Sequence, residues 1–249
     1  EQMRGAAYTA LKEVESEDTV SYLEDGLSDG SGLVRALAVE GLGRLKSGGR
    51  SERFRKALED QASIVRTSVL RVLGRSADRS VIPLLEHALK DDQATVRIVA
   101  AGGLVLLGKT EAMAVIRDGA KALNPEDRGA ALRMLGELGK VEDRPVLEQA
   151  LSDTQPSVRG ASAAALGEMG PPESIPAIAP LLKDIVPAVR AAAAVSISQM
   201  KSAEARPLLK SALSDPNPIV RAAAVDGLLR QGAPFDELSD VVRELTRSQ

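Results

Sequence analysis

The sequence predicts an all-α fold, a right-handed α-solenoid of about eight two-helix repeats. Three observations predict it: a fixed period along the chain, two amphipathic helical patterns inside each period, and a composition rich in aliphatic residues. The chain has 249 residues, of which 44% are hydrophobic and 2% aromatic. It is therefore long enough to bury a continuous core, and that core must be packed by aliphatic side chains.

An arginine recurs every 31 residues along the whole chain. Its positions are Arg4, Arg35, Arg66, Arg97, Arg128, Arg159, Arg190 and Arg221. An aliphatic residue follows each arginine at a distance of seven residues, and these residues are Leu11, Leu42, Leu73, Leu104, Leu135, Leu166, Ile197 and Leu228. A period of this length indicates stacked repeats, and we expect the aliphatic column to be deep core.

Most copies also carry an aspartate six residues before the arginine and a valine immediately before it. The aspartates are Asp29, Asp60, Asp91, Asp153, Asp184 and Asp215. One copy interrupts both columns, with Ala122 in place of the aspartate and Asp127 in place of the valine. Because a carboxylate at a buried position is costly, we expect a local irregularity in that copy.

The second half of each period has the pattern of an amphipathic helix. In the copy that starts at Val158, apolar and small residues fall at i, i+3/i+4 and i+7. Prolines at the first helical position, asparagine N-caps and terminal glycines predict where such helices begin and end. The prolines are Pro125, Pro156, Pro187 and Pro218, the caps are Asn124 and Asn217, and the glycines are Gly108, Gly139, Gly170 and Gly232.

The first half of each period predicts a second kind of helix. Its apolar pattern, clear in residues 81–89, recurs in residues 175–182. A proline column near its start costs no intrahelical hydrogen bond, and its members are Pro83, Pro145, Pro176 and Pro207. A helix pair of this size cannot bury its apolar face alone, so neighbouring pairs must stack.

The segment Leu151–Gly170 reads LSDTQPSVRGASAAALGEMG and resembles the short HEAT-like repeat of the type found in phycobilisome lyases. The resemblance covers essentially the whole chain. It implies that the aspartate and arginine columns form a hydrogen-bond ladder between neighbouring repeats. It implies no single activity, because that family includes pigment-lyase components, scaffolds, adaptors and artificial repeat binders.

We expect residues 1–249 to form one HEAT-like repeat solenoid with a period of 31 residues. The segment Met3–Leu11 matches the second helix of a repeat with no first helix before it, so we expect the array to be truncated at its N-terminus. The charged segment Asp236–Arg247 resembles a polar terminal repeat, so we expect it to cap the C-terminus.

Composition excludes many kinds of active site. The chain has no cysteine and one histidine, His87, which excludes thiolate chemistry and multi-histidine metal sites. The equivalents of His87 in other repeats are mainly polar, so we expect an exposed surface histidine and no Ser-His-Asp triad. No phosphate-binding glycine motif follows a strand. We therefore expect no enzyme, and no catalytic, cofactor-binding or metal-binding residue.

The concave face that successive second helices form is the predicted binding surface. Its positions lie one, five and nine residues after each arginine. In the middle copies, arginines flank an aliphatic step, the composition of a protein interface. The candidate partner-binding residues are Arg71, Arg75, Ile98, Val105, Leu106, Arg133 and Glu137.

The leading hypothesis is a non-catalytic scaffold or adaptor that binds a protein partner on its concave face. One alternative is a component resembling a phycobilisome or bilin lyase, which the four aromatic residues and single histidine disfavour. A second is a helical-repeat protein that binds a nucleic-acid backbone, which the net charge of −3 disfavours. We expect a soluble chain with no membrane insertion and no nucleic-acid partner, with the cytoplasm favoured.

Overall fold

The computed structural model of the protein describes residues 2–14, 16–45, 54–200 and 202–247. All regular secondary structure in these ranges is helical, with fifteen α-helices and several short 3-10 segments. The helices belong to two compact units, Glu1–Ile116 and Arg117–Gln249. The predicted all-α fold is confirmed, and the repeat of paired helices makes it an α-solenoid.

Eight longer helices carry the arginine column, and each is the second helix of a repeat. They are Gln2–Leu11, Gly32–Arg44, Ser63–Gly74, Ala94–Leu106, Pro125–Leu138, Pro156–Met169, Pro187–Gln199 and Pro218–Arg230. Within each unit, consecutive second helices pack against one another. Repeats are numbered here by their arginines, so that Arg4 marks the first and Arg221 the eighth.

The first helices are shorter, and most follow a 3-10 turn. They are Val20–Gly26, Ile82–Ala88, Met113–Gly119, Arg144–Ala150, Ile175–Ile178, Ala205–Ala212 and Ser239–Arg247. In the third repeat, the described part of this region ends in the 3-10 segment Lys56–Glu59. Several first helices, including Ile82–Ala88 and Arg144–Ala150, pack against the second helix of their own repeat.

Helix ends follow the predicted signals. The side chain of Asn124 accepts a hydrogen bond from the backbone N–H of Glu126 at 3.0 Å, and Asn217 accepts one from Ile219 at 2.9 Å. The terminal glycines adopt the left-handed conformation that other residues resist, with φ of 91° at Gly108, 61° at Gly139, 79° at Gly170 and 78° at Gly232. The predicted caps and stops are confirmed.

The aliphatic column forms the core, as predicted. From Leu42 to Leu228 its seven members are at most 2% exposed, whereas Leu11 in the first repeat is half-buried. Asp127 is half-buried in the first turn of Pro125–Leu138. Unlike its buried valine counterparts, Asp127 keeps part of its side chain in water. A negative charge in the first turn of a helix is also favourable.

The arginine and aspartate columns form the predicted ladder. In five junctions the guanidinium Nε and Nη2 donate to both carboxylate oxygens of the aspartate in the next repeat, and the pairs are Arg35–Asp60, Arg66–Asp91, Arg128–Asp153, Arg159–Asp184 and Arg190–Asp215. Arg4 pairs with Asp29 in a more exposed version of this contact. The third nitrogen, Nη1, donates to a carbonyl in the arginine's own repeat, as Arg159 does to Asp153 at 2.9 Å.

Two arginines lack a carboxylate partner among the described residues. Arg97 donates to the backbone carbonyls of Asp91 and Asp92, and the aspartate position that follows it in the repeat pattern is Ala122. Arg221 donates to the carbonyls of Asp215 and Pro216, and its buried Nε has no partner in the described ranges. The ladder therefore depends on the aspartate column being present.

Candidate partner-binding surface

Exposed arginines lie on the second helices of the second and third repeats, in the first unit. Arg44 is the last residue of the helix Gly32–Arg44, and Arg71 and Arg75 lie one turn apart at the end of Ser63–Gly74. All three side chains are exposed. Cations are favourable at helix C-termini, so the backbone stabilises this cluster where the sequence places it. We call this surface the second-helix face.

A pocket of about 300 Å³ lies between these arginines. Its lining residues are Glu40, Gly43, Arg44, Ser68, Arg71, Val72 and Arg75. A Cβ placed on Gly43 would lie 2.5 Å from Cγ2 of Val72, so the glycine allows the two helices to come close here. The pocket therefore has a small apolar floor at Val72 and a polar, mainly cationic rim.

Acidic side chains near the pocket are already paired. The Lys12 ammonium donates to Glu40 Oε2 at 2.6 Å, and Arg44 Nη1 donates to Glu13 Oε2 at 2.6 Å. Arg71, in contrast, has no hydrogen bond or ion pair from its side chain to any residue in the described ranges. The pocket thus offers an incoming ligand an exposed guanidinium whose donors face water.

Arg71 and Arg75 line the same pocket, but the predicted exposed aliphatic step beside them is largely wrong. Ile98 is 2% exposed and Val105 is 7% exposed, so both are core residues, whereas Leu106 is 53% exposed. The helix Ala94–Leu106 is apolar on nearly every side, and such a helix is buried all round. The repeat positions of Ile98 and Val105 predicted exposed side chains, and this prediction failed because this one helix is buried on more sides than the average second helix.

Arg133 and Glu137 belong to the second unit. Both are exposed and lie one turn apart on Pro125–Leu138. Gly129 lies under the Arg133 guanidinium, since a Cβ there would be 3.3 Å from Arg133 Nη1. The structure therefore places both residues on the surface of the second unit.

The candidate residues omitted three polar side chains that line the pocket, those of Glu40, Arg44 and Ser68. Glu40 and Arg44 occupy the same repeat positions as Arg71 and Arg75, 31 residues earlier, so the period itself was a sufficient signal. Ser68 is 3% exposed, and its hydroxyl donates to Glu40 Oε1 at 3.4 Å. No sequence signal identified Ser68, because a buried serine in a helix has the same pattern as a core residue.

His87 is exposed on the helix Ile82–Ala88, as predicted. Across the described ranges, no three histidine, aspartate or glutamate side chains are grouped so that they could hold a metal ion. None of the described helices combines the length and the apolar character needed to span a membrane.

Several solved structures are similar to this chain in fold. The complex of CpcE and CpcF of phycocyanin lyase from Nostoc sp. PCC7120 has a TM-score of 0.54 and 20% identity, covering 93% of this chain and 95% of that chain. YibA from Escherichia coli has a TM-score of 0.53 and 18% identity, covering 98% and 96%. Human deoxyhypusine hydroxylase in complex with glycerol has a TM-score of 0.45 and 18% identity, covering 94% and 91%.

Comparison with curated proteins gives no match. The family described as HEAT repeats matches this sequence at residues 23–105, 51–136, 82–167, 113–198, 144–229 and 175–248. These overlapping matches cover most of the chain in the 31-residue register of the arginine column. The chain therefore belongs to the HEAT-repeat family.

Proposed function

We propose that this protein is a non-catalytic scaffold or adaptor that binds an acidic segment of a protein partner on the second-helix face. The observation that carries the proposal is the exposed guanidinium of Arg71, which has no partner among the described residues and borders a pocket of about 300 Å³. Arginine is enriched at protein interfaces, where its planar group pairs with carboxylates. The second-helix face therefore suits aspartate and glutamate side chains.

The pocket favours a polypeptide segment. Glu13 and Glu40, which are already paired with Arg44 and Lys12, place acidic groups beside the cations. A mixed surface of this kind selects a partner by its charge pattern as well as by its net charge. In the phycocyanin lyase structure, CpcE and CpcF form a complex with each other, so one protein of similar fold binds another protein there.

The test compares two double variants in affinity capture from a lysate of the source organism. In Arg71→Glu/Arg75→Glu, the cations of the second-helix face are reversed. In the matched control Arg79→Glu/Lys90→Glu, the same change of charge is made at exposed positions of the same unit, away from this pocket. We expect the first variant to lose captured proteins that the wild type and the control both retain.

Folding must be unaffected for the comparison to be valid. Exposed charges contribute little to stability, so we expect both variants to keep the wild-type helicity and Tm. Capture by wild type should weaken as salt rises, because the contacts are partly electrostatic. The proposal is wrong if the Arg71→Glu/Arg75→Glu protein captures every wild-type partner while the Arg79→Glu/Lys90→Glu protein does not.

A further inference from the structure

We propose that Lys12 keeps the second-helix face open to an acidic partner by holding Glu40 away from Arg71. Glu40 is a carboxylate of the protein itself, and it lines the same pocket as Arg71. A carboxylate in that place competes with an acidic partner for the same guanidinium. The inference rests on the proposed function, because it concerns what leaves Arg71 available for binding.

Glu40 lies within reach of the helix that carries Arg71. The Ser68 hydroxyl donates to Glu40 Oε1 at 3.4 Å, so the carboxylate already contacts the helix Ser63–Gly74. Ser68 and Arg71 are three residues apart, and residues with this spacing are neighbours on one face of a helix. A guanidinium and a carboxylate so placed attract each other strongly, yet the described partners of Glu40 are Lys12 and Ser68.

The Lys12 ammonium is the main partner of the Glu40 carboxylate. It donates to Glu40 Oε2 at 2.6 Å, and the two side chains are 21% and 31% exposed. Salt screens a partly buried ion pair of this kind less than a fully exposed one. With Ser68 on the other oxygen, the carboxylate is held through both Oε1 and Oε2, and Arg71 is left without a side-chain partner in the described ranges.

The repeat architecture requires neither Lys12 nor Ser68. No other repeat has a basic residue at the position of Lys12, and four have glycine, namely Gly43, Gly74, Gly136 and Gly167. At the position of Ser68, every other repeat has alanine, valine or leucine. A hydroxyl that is 3% exposed costs free energy unless it is hydrogen-bonded, and this one donates to Glu40. The polar groups around Glu40 therefore belong to this pocket alone.

Arg44 is the other cation that a released Glu40 could reach. It lies four residues further along the same helix, Gly32–Arg44. Its Nη1 already donates to Glu13 Oε2 at 2.6 Å. Without Lys12, we therefore expect Glu40 to turn to Arg71, whose donors face water. If Glu40 turned to Arg44, Arg71 would stay open and the proposal would be wrong.

The first measurement needs no ligand. The NMR cross-peaks of the Arg71 guanidinium N–H groups, identified by their loss in Arg71→Lys, report whether a carboxylate accepts hydrogen bonds from them. We expect exchange with water in the wild-type protein, and shifted cross-peaks with slower exchange in Lys12→Met. Adding Glu40→Gln to Lys12→Met should restore the wild-type cross-peaks. Arg71 cross-peaks that Lys12→Met leaves unchanged would overturn the proposal.

The second measurement is binding of labelled hexaglutamate to the full-length protein, followed by fluorescence anisotropy, with labelled hexaglutamine as the uncharged reference. We expect Lys12→Met to weaken hexaglutamate binding about tenfold, the loss of one charge-assisted hydrogen bond. In the Glu40→Gln background, Lys12→Met should weaken it less than about twofold, because the competing carboxylate is gone. A change of net charge alone would weaken binding equally in both backgrounds, and that result would contradict the proposal.

Two further variants serve as controls. Lys90→Met removes an exposed positive charge from the same unit, away from this pocket, and should change binding less than about twofold. Lys12→Arg keeps a cation beside Glu40 and should keep the wild-type affinity. If Arg71→Glu left hexaglutamate binding unchanged, the proposed function would be wrong. If Arg71→Glu abolished binding while Lys12→Met had only the effect of Lys90→Met, the role of Lys12 alone would be wrong.

Discussion

Arg159 joins two repeats through one guanidinium. Its Nε and Nη2 donate to the carboxylate of Asp184 in the next repeat at 2.7 and 2.8 Å, while its Nη1 donates to the carbonyl of Asp153 in its own repeat at 2.9 Å. Asp184 also accepts a hydrogen bond from the backbone N–H of Val186 at 2.8 Å. One pair of side chains thus fixes both the loop and the junction.

Removing the carboxylate should therefore destabilise the second unit. We expect Asp184→Ala to lower the free energy of unfolding by about 1–3 kcal/mol, because the mostly buried Arg159 guanidinium and the Val186 N–H lose their acceptor. Urea denaturation measures the effect. Arg4→Ala is the control, since Arg4 is 56% exposed in the equivalent pair with Asp29. This substitution should lower the free energy of unfolding by less than Asp184→Ala does. Equal losses would show that burial of the ladder pair does not matter.

The ladder also makes stability depend on pH. Hydrogen bonds from the ladder arginines are the largest cause that lowers the pKa of Asp60, Asp153, Asp184 and Asp215. In the unfolded chain these carboxyl groups take up protons near pH 4, before the folded protein does. Their contribution to stability is therefore complete above about pH 4 and is lost as the pH falls through the lower, folded pKa values.

We expect a urea midpoint that is flat between about pH 6 and 8 and falls steeply below about pH 4. The Asp184→Ala protein should lose less stability over the acid range than wild type, because one of the linked carboxylates is gone. A midpoint in wild type that stays constant down to about pH 3 would contradict the ladder's linkage to protonation.

Repeated features of this fold were predictable, and unrepeated ones were not. The core column, the helix stops and the ladder recur in many copies, so each position was read from several independent examples. The burial of Ile98 and Val105 depends on one helix that is apolar on nearly every side, and the average repeat does not describe it. The pocket beside Arg71 requires Gly43 and Val72 to approach closely, a contact between two copies that no single repeat encodes.

The space around Gly74 and Gly160 predicts opposite effects when each glycine is replaced by alanine. A Cβ on Gly74 would lie 2.4 Å from Cα of Gly103 in the neighbouring helix, so backbone must move to admit it. We expect Gly74→Ala to destabilise the protein by about 1–3 kcal/mol. Gly160 is the control, since its Cβ would lie 3.9 Å from Ala192 and meet no closer atom.

Gly160→Ala should stabilise the protein by about 0.5–1 kcal/mol, because alanine favours a helix interior over glycine. Thermal unfolding followed by circular dichroism compares the two variants with wild type. If Gly74→Ala also raised the Tm, the close approach of the helices at Gly74 and Gly103 would be wrong.

The ion pair of Arg117 and Asp143 lies in the second unit. Removing one partner should change the free energy of unfolding by a different amount from removing the other. Asp143 is 1% exposed, and its Oδ1 accepts a hydrogen bond from Arg117 Nε at 2.6 Å. Its Oδ2 is buried with no partner in the described ranges. The Arg117 side chain is 42% exposed, so water can solvate its guanidinium if the carboxylate is removed.

Neighbouring repeats show that the position does not need a charge. The residues equivalent to Asp143 are Ala112 and Ser174, and both are buried. We therefore expect Asp143→Ala to change the free energy of unfolding by less than about 1 kcal/mol, because the loss of the ion pair is offset by relief of a half-satisfied buried carboxylate.

Arg117→Ala leaves that carboxylate buried and unpaired, and should cost about 3 kcal/mol. The double variant Arg117→Ala/Asp143→Ala should recover most of this loss, because it removes the buried charge together with its partner. Urea denaturation of the three proteins gives the interaction free energy of the pair. An Asp143→Ala protein as unstable as Arg117→Ala would mean that the cost lies in the lost contact itself, and that burial of the unpaired carboxylate contributes nothing.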